Sequence, residues 1–176
     1  MLFVLAGFVI NVNCVFRLST ELLKNNGFCY CKIKNGARIS QQQVEQFYEE
    51  HKNKFFYNRL ITSMTSGDCE VYVLAKDNAI QDWRKLMGPT KVFQAIFSHP
   101  DSLRGMYGLT DTRNATHGSD SMESAAREIS IFFPDFSVSQ WLKENEESFR
   151  KEVILSDQTS YIHSAEADKF QQSTSR

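Results

Sequence analysis

Residues 69–90 read CEVYVLAKDNAIQDWRKLMGPT, and the hydrophobic period changes within them. The first seven, CEVYVLA, are rich in β-branched and aromatic side chains and read as a strand. Asp77 or Asn78 can cap the next element. Ile80, Trp83 and Met87 then recur at helical spacing until Gly88-Pro89 stops the run. A strand that hands directly to a helix marks a mixed fold rather than a bundle or a sandwich of strands alone.

The flanking sequence extends the pattern. RLSTELLKNNGF (17–28) reads as a helix with Leu18, Leu22 and Leu23 on one face, stopped by Asn26-Gly27, and FCYCKI (28–33) then alternates as a strand. Ser40 opens SQQQVEQFYEEHK, where Val44, Phe47, Tyr48 and His51 fall at helical spacing, and YNRLITSMTS forms a second short helix. Downstream, Thr90 to Arg104 reads as one long connection, a feature usually functional or disordered in compact domains. MESAAREISIFF is a helix ended by Pro134, with Asp120 and Glu123 in a capping-box arrangement before it. MLFVLAGFVI at the amino terminus reads as a buried strand. Its other reading, a signal-peptide core, lacks the preceding positive segment, and the run is too short to span a bilayer. From residue 143 the chain turns polar and ends in SAEADKFQQSTSR, which reads as a disordered tail after a single domain over 1–142. Strands are few and helices cluster, so the expected architecture is an α+β sandwich rather than a doubly wound parallel sheet.

Composition narrows the partners. The 176 residues are 41% hydrophobic and 23% charged, with a net charge of −1, values of an ordinary globular protein. Such a charge gives no reason to expect nucleic acid or stable membrane insertion, so an anionic ligand must be held by a few placed basic residues. Cys14, Cys29, Cys31 and Cys69 form no C-x-x-C pair, and no histidine stands at zinc-finger spacing from them. They read as reduced, structural cysteines of a cytoplasmic or mitochondrial protein.

The residues that suggest chemistry lie in TRNATHGSDS, 112–121. His117 precedes a capped helix, whose amino terminus favours an anion, and Gly118 removes a side chain where a ligand approaches. A neutral imidazole is a competent nucleophile near neutral pH when one nitrogen attacks and the other is held, and Glu128, two turns into the helix, is the candidate holder. By itself this pattern also suits an ordinary loop histidine.

RNATHGSDSMESAAREISIFF closely resembles the active-site signature of nucleoside diphosphate kinases, Asn-x-x-His-Gly-Ser-Asp-Ser followed by a Glu-x-Ala-x-x-Glu-Ile helix. FYEEHKNKFFYNRLITSMTSG is similar to the family's helical hairpin, VYVLAKDNAIQDWRKLMGPT to its third strand and next helix, and PDSLRGMYG to the segment leading into the signature. The GLTDTRN run and the FFPDF ending look most like the divergent second group of that family. The resemblance covers about Leu18 to Phe136. It implies a ferredoxin-like α/β fold, with a four-stranded antiparallel sheet covered by helices. It also implies a ping-pong reaction in which a nucleoside triphosphate, ATP foremost, passes its γ-phosphoryl group to His117 and thence to a nucleoside diphosphate. Arg84, Arg104 and Thr90 match the family's phosphate ligands, Phe56 the ring on which the base stacks, and Asn114 the residue binding the sugar. Tyr48 and Ser119 match hydroxyls near the histidine, and Glu128 the carboxylate that orients it. Mg²⁺ would arrive with the nucleotide. Partners implied are nucleoside di- and triphosphates and homo- or hetero-oligomers with other family members.

Two departures qualify the resemblance. Counting back from Phe28, Ala6-Gly7-Phe8 stands where the family carries Lys-Pro-Asp, and no lysine occurs before Lys24. Either unrelated sequence replaces the first strand of an active enzyme, or the protein is a weak or inactive nucleotide- or partner-binding module on the same fold. KVFQAIFSHPDS (91–102) is also longer than in standard members, where that loop makes oligomer contacts.

Overall fold

The computed structural model describes residues 2–10, 23, 25–145 and 147, with the backbone alone for 2–10 and 35. In chain order the elements are β1 (Leu2–Ile10), β2 (Cys29–Ala37), α1 (Gln41–Phe47), a 3-10 turn (Glu49–His51) and α2 (Tyr57–Thr65). There follow β3 (Cys69–Asp77), α3 (Ala79–Met87), α4 (Val92–Ser98), α5 (Leu103–Tyr107), β4 (Thr116–Gly118) and α6 (Met122–Phe132). A further helical stretch runs 138–145.

The strands form one four-stranded sheet in the order β2-β3-β1-β4, with every neighbouring pair antiparallel. This is the ferredoxin-like arrangement, and it is the α+β architecture the sequence implies. The apolar run at the amino terminus becomes β1, an interior strand between β3 and β4.

Core residues divide by strand parity. Cys69, Val71, Val73 and Ala75 of β3 face Val44 and Phe47 of α1, Met64 of α2, and Ile129 and Phe132 of α6. Tyr72 and Leu74 face Phe28, Leu103 and the Ala79, Trp83 and Met87 stripe of α3. With both faces covered, CEVYVLA carries apolar side chains almost continuously instead of alternating with polar ones. Cys29 and Cys31 both pack on the first face, as their spacing predicts, although the register with β3 slips between Tyr30 and Lys32.

Helix ends follow local chemistry. Phe28 donates its N–H to Leu23 O at 3.0 Å, across Gly27 at φ +70°, the glycine-terminated stop expected there. Apart from Leu23 and Asn25, which are helical, most of the helix expected over 17–28 lies outside the described residues. Ser40 caps α1 in a reciprocal box with Gln43.

Four expectations need correction. The capping box of α6 is Ser121 with Ser124, not Asp120 with Glu123; the Ser124 hydroxyl donates to Asp120 instead. Asn78 occupies the N-cap of α3 but in a left-handed conformation, φ +58°, with no side-chain cap bond. The Thr90–Arg104 connection is not irregular. It contains α4, whose Val92 and Ala95 are buried while Phe93 and Phe97 stand 75% and 72% exposed. That inverted pattern, bulky side chains outward and small ones inward, hides the helix from a search for an apolar stripe. The polar tail read from 143 begins inside the 138–145 helix, whose Trp141 and Leu142 pack on the core; beyond 147 it lies outside the described residues.

Candidate functional site

Thr116 donates its N–H to Asn114 O at 2.8 Å, spanning Ala115 at φ +69°, so a strained γ-turn swings the chain into β4. On β4, His117 stands opposite Phe8 in the register with β1. Ser121 then starts α6, which lays Glu128 beneath the strand, 3% exposed. His117 Nε2 lies 3.3 and 3.2 Å from the two Glu128 carboxylate oxygens. The Ser119 hydroxyl donates to the same carboxylate at 2.6 Å. The Phe47 ring meets the imidazole edge to face, 4.8 Å between centroids, and Trp83 Nε1–H donates to His117 O at 3.0 Å. Backbone, ring and one ring nitrogen are thereby held from three directions. Because Glu128 accepts, the pairing favours the tautomer with its proton on Nε2 and a lone pair on Nδ1.

Gly118 lines the site cavity and serves a second need as well. A Cβ there would stand 2.3 Å from Trp83 Cδ1, so the missing side chain also admits the indole.

Arg84, exposed, is with Lys85 a last-turn cation of α3, and Gly88 at φ +78° ends that helix. Arg104 is buried. Its Nη1 donates to Gly88 O at 2.9 Å and to Thr90 Oγ1 at 3.5 Å, and its Nη2 to Thr116 O at 3.0 Å. It therefore stitches α3, α5 and β4 together while presenting a cation. Burial, and then the nearby Arg84, draw its pKa down to about 10, which leaves it charged at neutral pH. Arg104 Nε and the Thr116 hydroxyl are buried with no hydrogen-bond partner among the described residues, exceptions among buried polar groups, and both residues line the cavity described below.

The opposite wall is aromatic. Tyr48 follows α1 directly, and burial pushes its phenol well above the usual range, with Cys69 and Glu128 adding to the shift; the hydroxyl remains neutral. His51 stacks on Tyr48 at 6.1 Å and meets Phe56 edge-on at 5.7 Å. Phe56 is half-buried while Phe55, against it at 5.3 Å, is 87% exposed.

One cavity of about 650 Å³ lies between these walls, lined by Tyr48, Phe56, Arg84, Thr90, Arg104, Asn114, His117 and Glu128. The fold thus gathers eight of the nine residues that the sequence singles out around one space, and Ser119 touches it through Glu128. His51, Arg59, Lys91 and Arg127 also line it, and the sequence reading assigns them no place there. The i, i+3 spacing of Tyr48 and His51 is the signal for the first. The others come from separate elements and carry no local signal.

The donor set suits a polyphosphate ligand more than a caged metal ion. No three His, Cys, Asp or Glu side chains converge among the described residues. Exposed Asp120 does line the cavity, and Mg²⁺ commonly binds through one carboxylate, water and ligand phosphates. The residues therefore fit Mg²⁺ as the companion of a phosphate ligand.

The profile of the family described as nucleoside diphosphate kinase matches residues 13–138, downstream of β1. Nucleoside diphosphate kinase 6 of Danio rerio is 56% identical over 119 residues, 68% of this chain and 68% of its own. Nucleoside diphosphate kinase 6 of Homo sapiens is 56% identical over 110 residues, 62% of this chain and 59% of its own. A crystal structure of the Aquifex aeolicus nucleoside diphosphate kinase superposes with a TM-score of 0.69 at 29% identity, covering 76% of this chain and 96% of that one. No described helix is long and apolar enough to cross a membrane.

Proposed function

The chain belongs to the nucleoside diphosphate kinase family, and on that premise we propose that it transfers the γ-phosphoryl group of a nucleoside triphosphate to a nucleoside diphosphate through phosphorylated His117. The observation carrying this reading is the His117–Glu128–Ser119 arrangement at one end of a cavity that Arg84, Arg104 and Thr90 also line. Glu128 accepts a hydrogen bond from Nε2–H, which keeps that proton on the ring, so the Nδ1 lone pair attacks the γ-phosphorus. The bond to the β,γ-bridging oxygen breaks, its electron pair leaves on the nucleoside diphosphate, and the second half-reaction runs the same step in reverse with a different acceptor. Arg84, Arg104 and the Thr90 hydroxyl offset the charge spread over the phosphoryl oxygens, the dominant demand of such a transfer. Phe56 offers a π-face to the base, a contact tolerant of base identity, and Asn114 faces the sugar. Mg²⁺ bound with the nucleotide would neutralise part of the phosphate charge.

A second reading rests on β1, where residues 2–10 contain no lysine. Loss of one preorganised donor to the transition state costs about 3–4 kcal/mol, or 10²–10³ in rate, which would leave a nucleotide-binding module that turns over weakly. Incubation with γ-labelled ATP separates the two. A working enzyme yields an acid-labile, base-stable label that disappears in His117→Ala. Nucleotide binding without label favours the module, and label that survives His117→Ala removes the histidine from the mechanism.

A further inference from the structure

Arg127 belongs to no expected group of site residues, yet it touches both halves of the site. It lies on α6 immediately before Glu128, and its side chain is 35% exposed and lines the cavity. Nη1 donates to Gln46 O at 3.4 Å and to Phe47 O at 3.3 Å. These are carbonyls of the last turn of α1, where intrahelical donors run short; Gln46 O also receives the cap N–H of Tyr48. Nη2 stands 3.4 Å from the Glu50 carboxylate on the 3-10 turn and 4.0 Å from Glu128 Oε1. The two peptides so held bracket Phe47, whose ring packs on His117, and lead into Tyr48 and His51 on the aromatic wall.

Resting on the function proposed above, we infer that Arg127 is a positioning residue that fixes the aromatic wall of the cleft against the His117–Glu128 pair. Shared partners assign it this role. Glu128 Oε2 is held by Ser119 at 2.6 Å, whereas Oε1, which also faces His117 Nε2, has Arg127 as its neighbouring cation. Phe47 presses the imidazole from another side, and the carbonyl of Phe47 bonds to the same guanidinium. The orientation of the ring thus depends on two supports, and one side chain joins them. A planar fork with separate donor edges suits this task better than a single ammonium group. Arg127 need not touch the nucleotide for this. It acts through the placement of the imidazole, where a misplacement of about 1 Å costs on the order of 10²-fold.

The test uses the full chain and reads His117 in two ways. In the unliganded protein, imidazole ¹⁵N shifts report which nitrogen carries the proton, whether or not the protein turns over. Wild type is expected to show Nε2 protonated and Nδ1 bare, and Arg127→Gln to show the two nitrogens drawn together as the ring averages between tautomers. In single turnover with γ-labelled ATP, Arg127→Gln is expected to lower the phosphorylation rate at saturating nucleotide by about tenfold to a hundredfold, not merely to raise the nucleotide concentration needed. Arg127→Lys covers the case in which the glutamine variant does not fold, and should still be several-fold slow at saturation. A wild-type nitrogen pattern in the variants, or a loss confined to nucleotide affinity, overturns the positioning role. If wild type itself takes no label while its nitrogens move on Arg127→Gln, the function reading fails and the positioning stands.

Discussion

A Cβ added at Gly118 would stand 2.3 Å from Trp83 Cδ1 and 2.5 Å from its Nε1, the atom that donates to His117 O. Gly118→Ala therefore has to displace a fully buried indole and break the bond that holds the His117 peptide. Overpacking of this kind costs about 1–3 kcal/mol. The urea midpoint is expected to fall accordingly, and an unchanged midpoint would show that the indole yields freely. Glu128→Gln probes the neighbouring residue differently. The amide keeps the shape but drops the charge and can present N–H instead of oxygen to Nε2, so the tautomer with a bare Nδ1 loses its support. By comparison with other enzymes in which a carboxylate fixes a histidine tautomer, the rate of His117 labelling should drop about 10²–10⁴-fold while nucleotide affinity changes little; a loss in affinity alone would argue for a binding role. The motif around His117 makes Glu128 readable from sequence, because i+11 along a strand, turn and helix is a fixed offset. The role of Gly118 is not readable, because its constraint comes from Trp83, 35 positions away.

Among the elements, the start of α6 shows how close a local reading can come and still choose the wrong pair. Four polar residues, Asp120, Ser121, Glu123 and Ser124, can all build a cap. The winner is Ser121, whose side chain accepts from Ser124 N–H at 3.1 Å, leaving Asp120 to accept from the Ser124 hydroxyl at 2.8 Å. That hydroxyl holds the Asp120 carboxyl below its ordinary range, with smaller pulls from Arg84 and His117. A depressed folded pKa adds stability that is present above the unfolded value, about 4, and is lost as pH falls through the folded one. Ser124→Ala removes the main cause together with the cap bond from Ser121 N–H to the Ser124 hydroxyl at 3.0 Å, which does not depend on pH. The gap between variant and wild type should therefore be widest near neutral pH and narrow, without closing, in acid; parallel stability curves from chemical denaturation would contradict this. Ser121→Ala should cost about 1 kcal/mol, measurable in the same experiment. The long connection is the element least legible in the sequence. Helix α4 is anchored by Asp111, whose carboxylate accepts Val92 N–H at 3.0 Å, and a cap from 19 residues downstream leaves no trace in the local pattern.

At the scale of the molecule, strand order decides what the missing lysine means. The sheet places β1 between β3 and β4, so β1 borders the strand that carries His117. Phe8 pairs with His117, and Gly7 with Gly118. Positions 6 and 8 are two apart and share a face of the strand, which is also the face of His117, since directly paired residues in an antiparallel ladder lie on the same side of the sheet. Counting back from Phe28 gives Ala6 as the position expected to take the place of the family's lysine. The α+β class is legible from the alternation of strands and helices, and the four-stranded ferredoxin-like sheet only through the family resemblance of the His117 motif and its flanks. The register is not, because it depends on pairing between residues over 100 positions apart. If the proposed transfer holds, Ala6→Lys, on the His117 face of β1 by backbone register, should raise its rate. The expected gain in single-turnover labelling of His117 is about 10²–10³, with nucleotide affinity changing far less. The same substitution at position 7, on the other face, should give no gain and serves as the control. Equal effects at both positions would mean that the gain comes from net charge and not from a placed donor, and no gain at position 6 would mean that Arg84 and Arg104 already supply the charge the transfer needs.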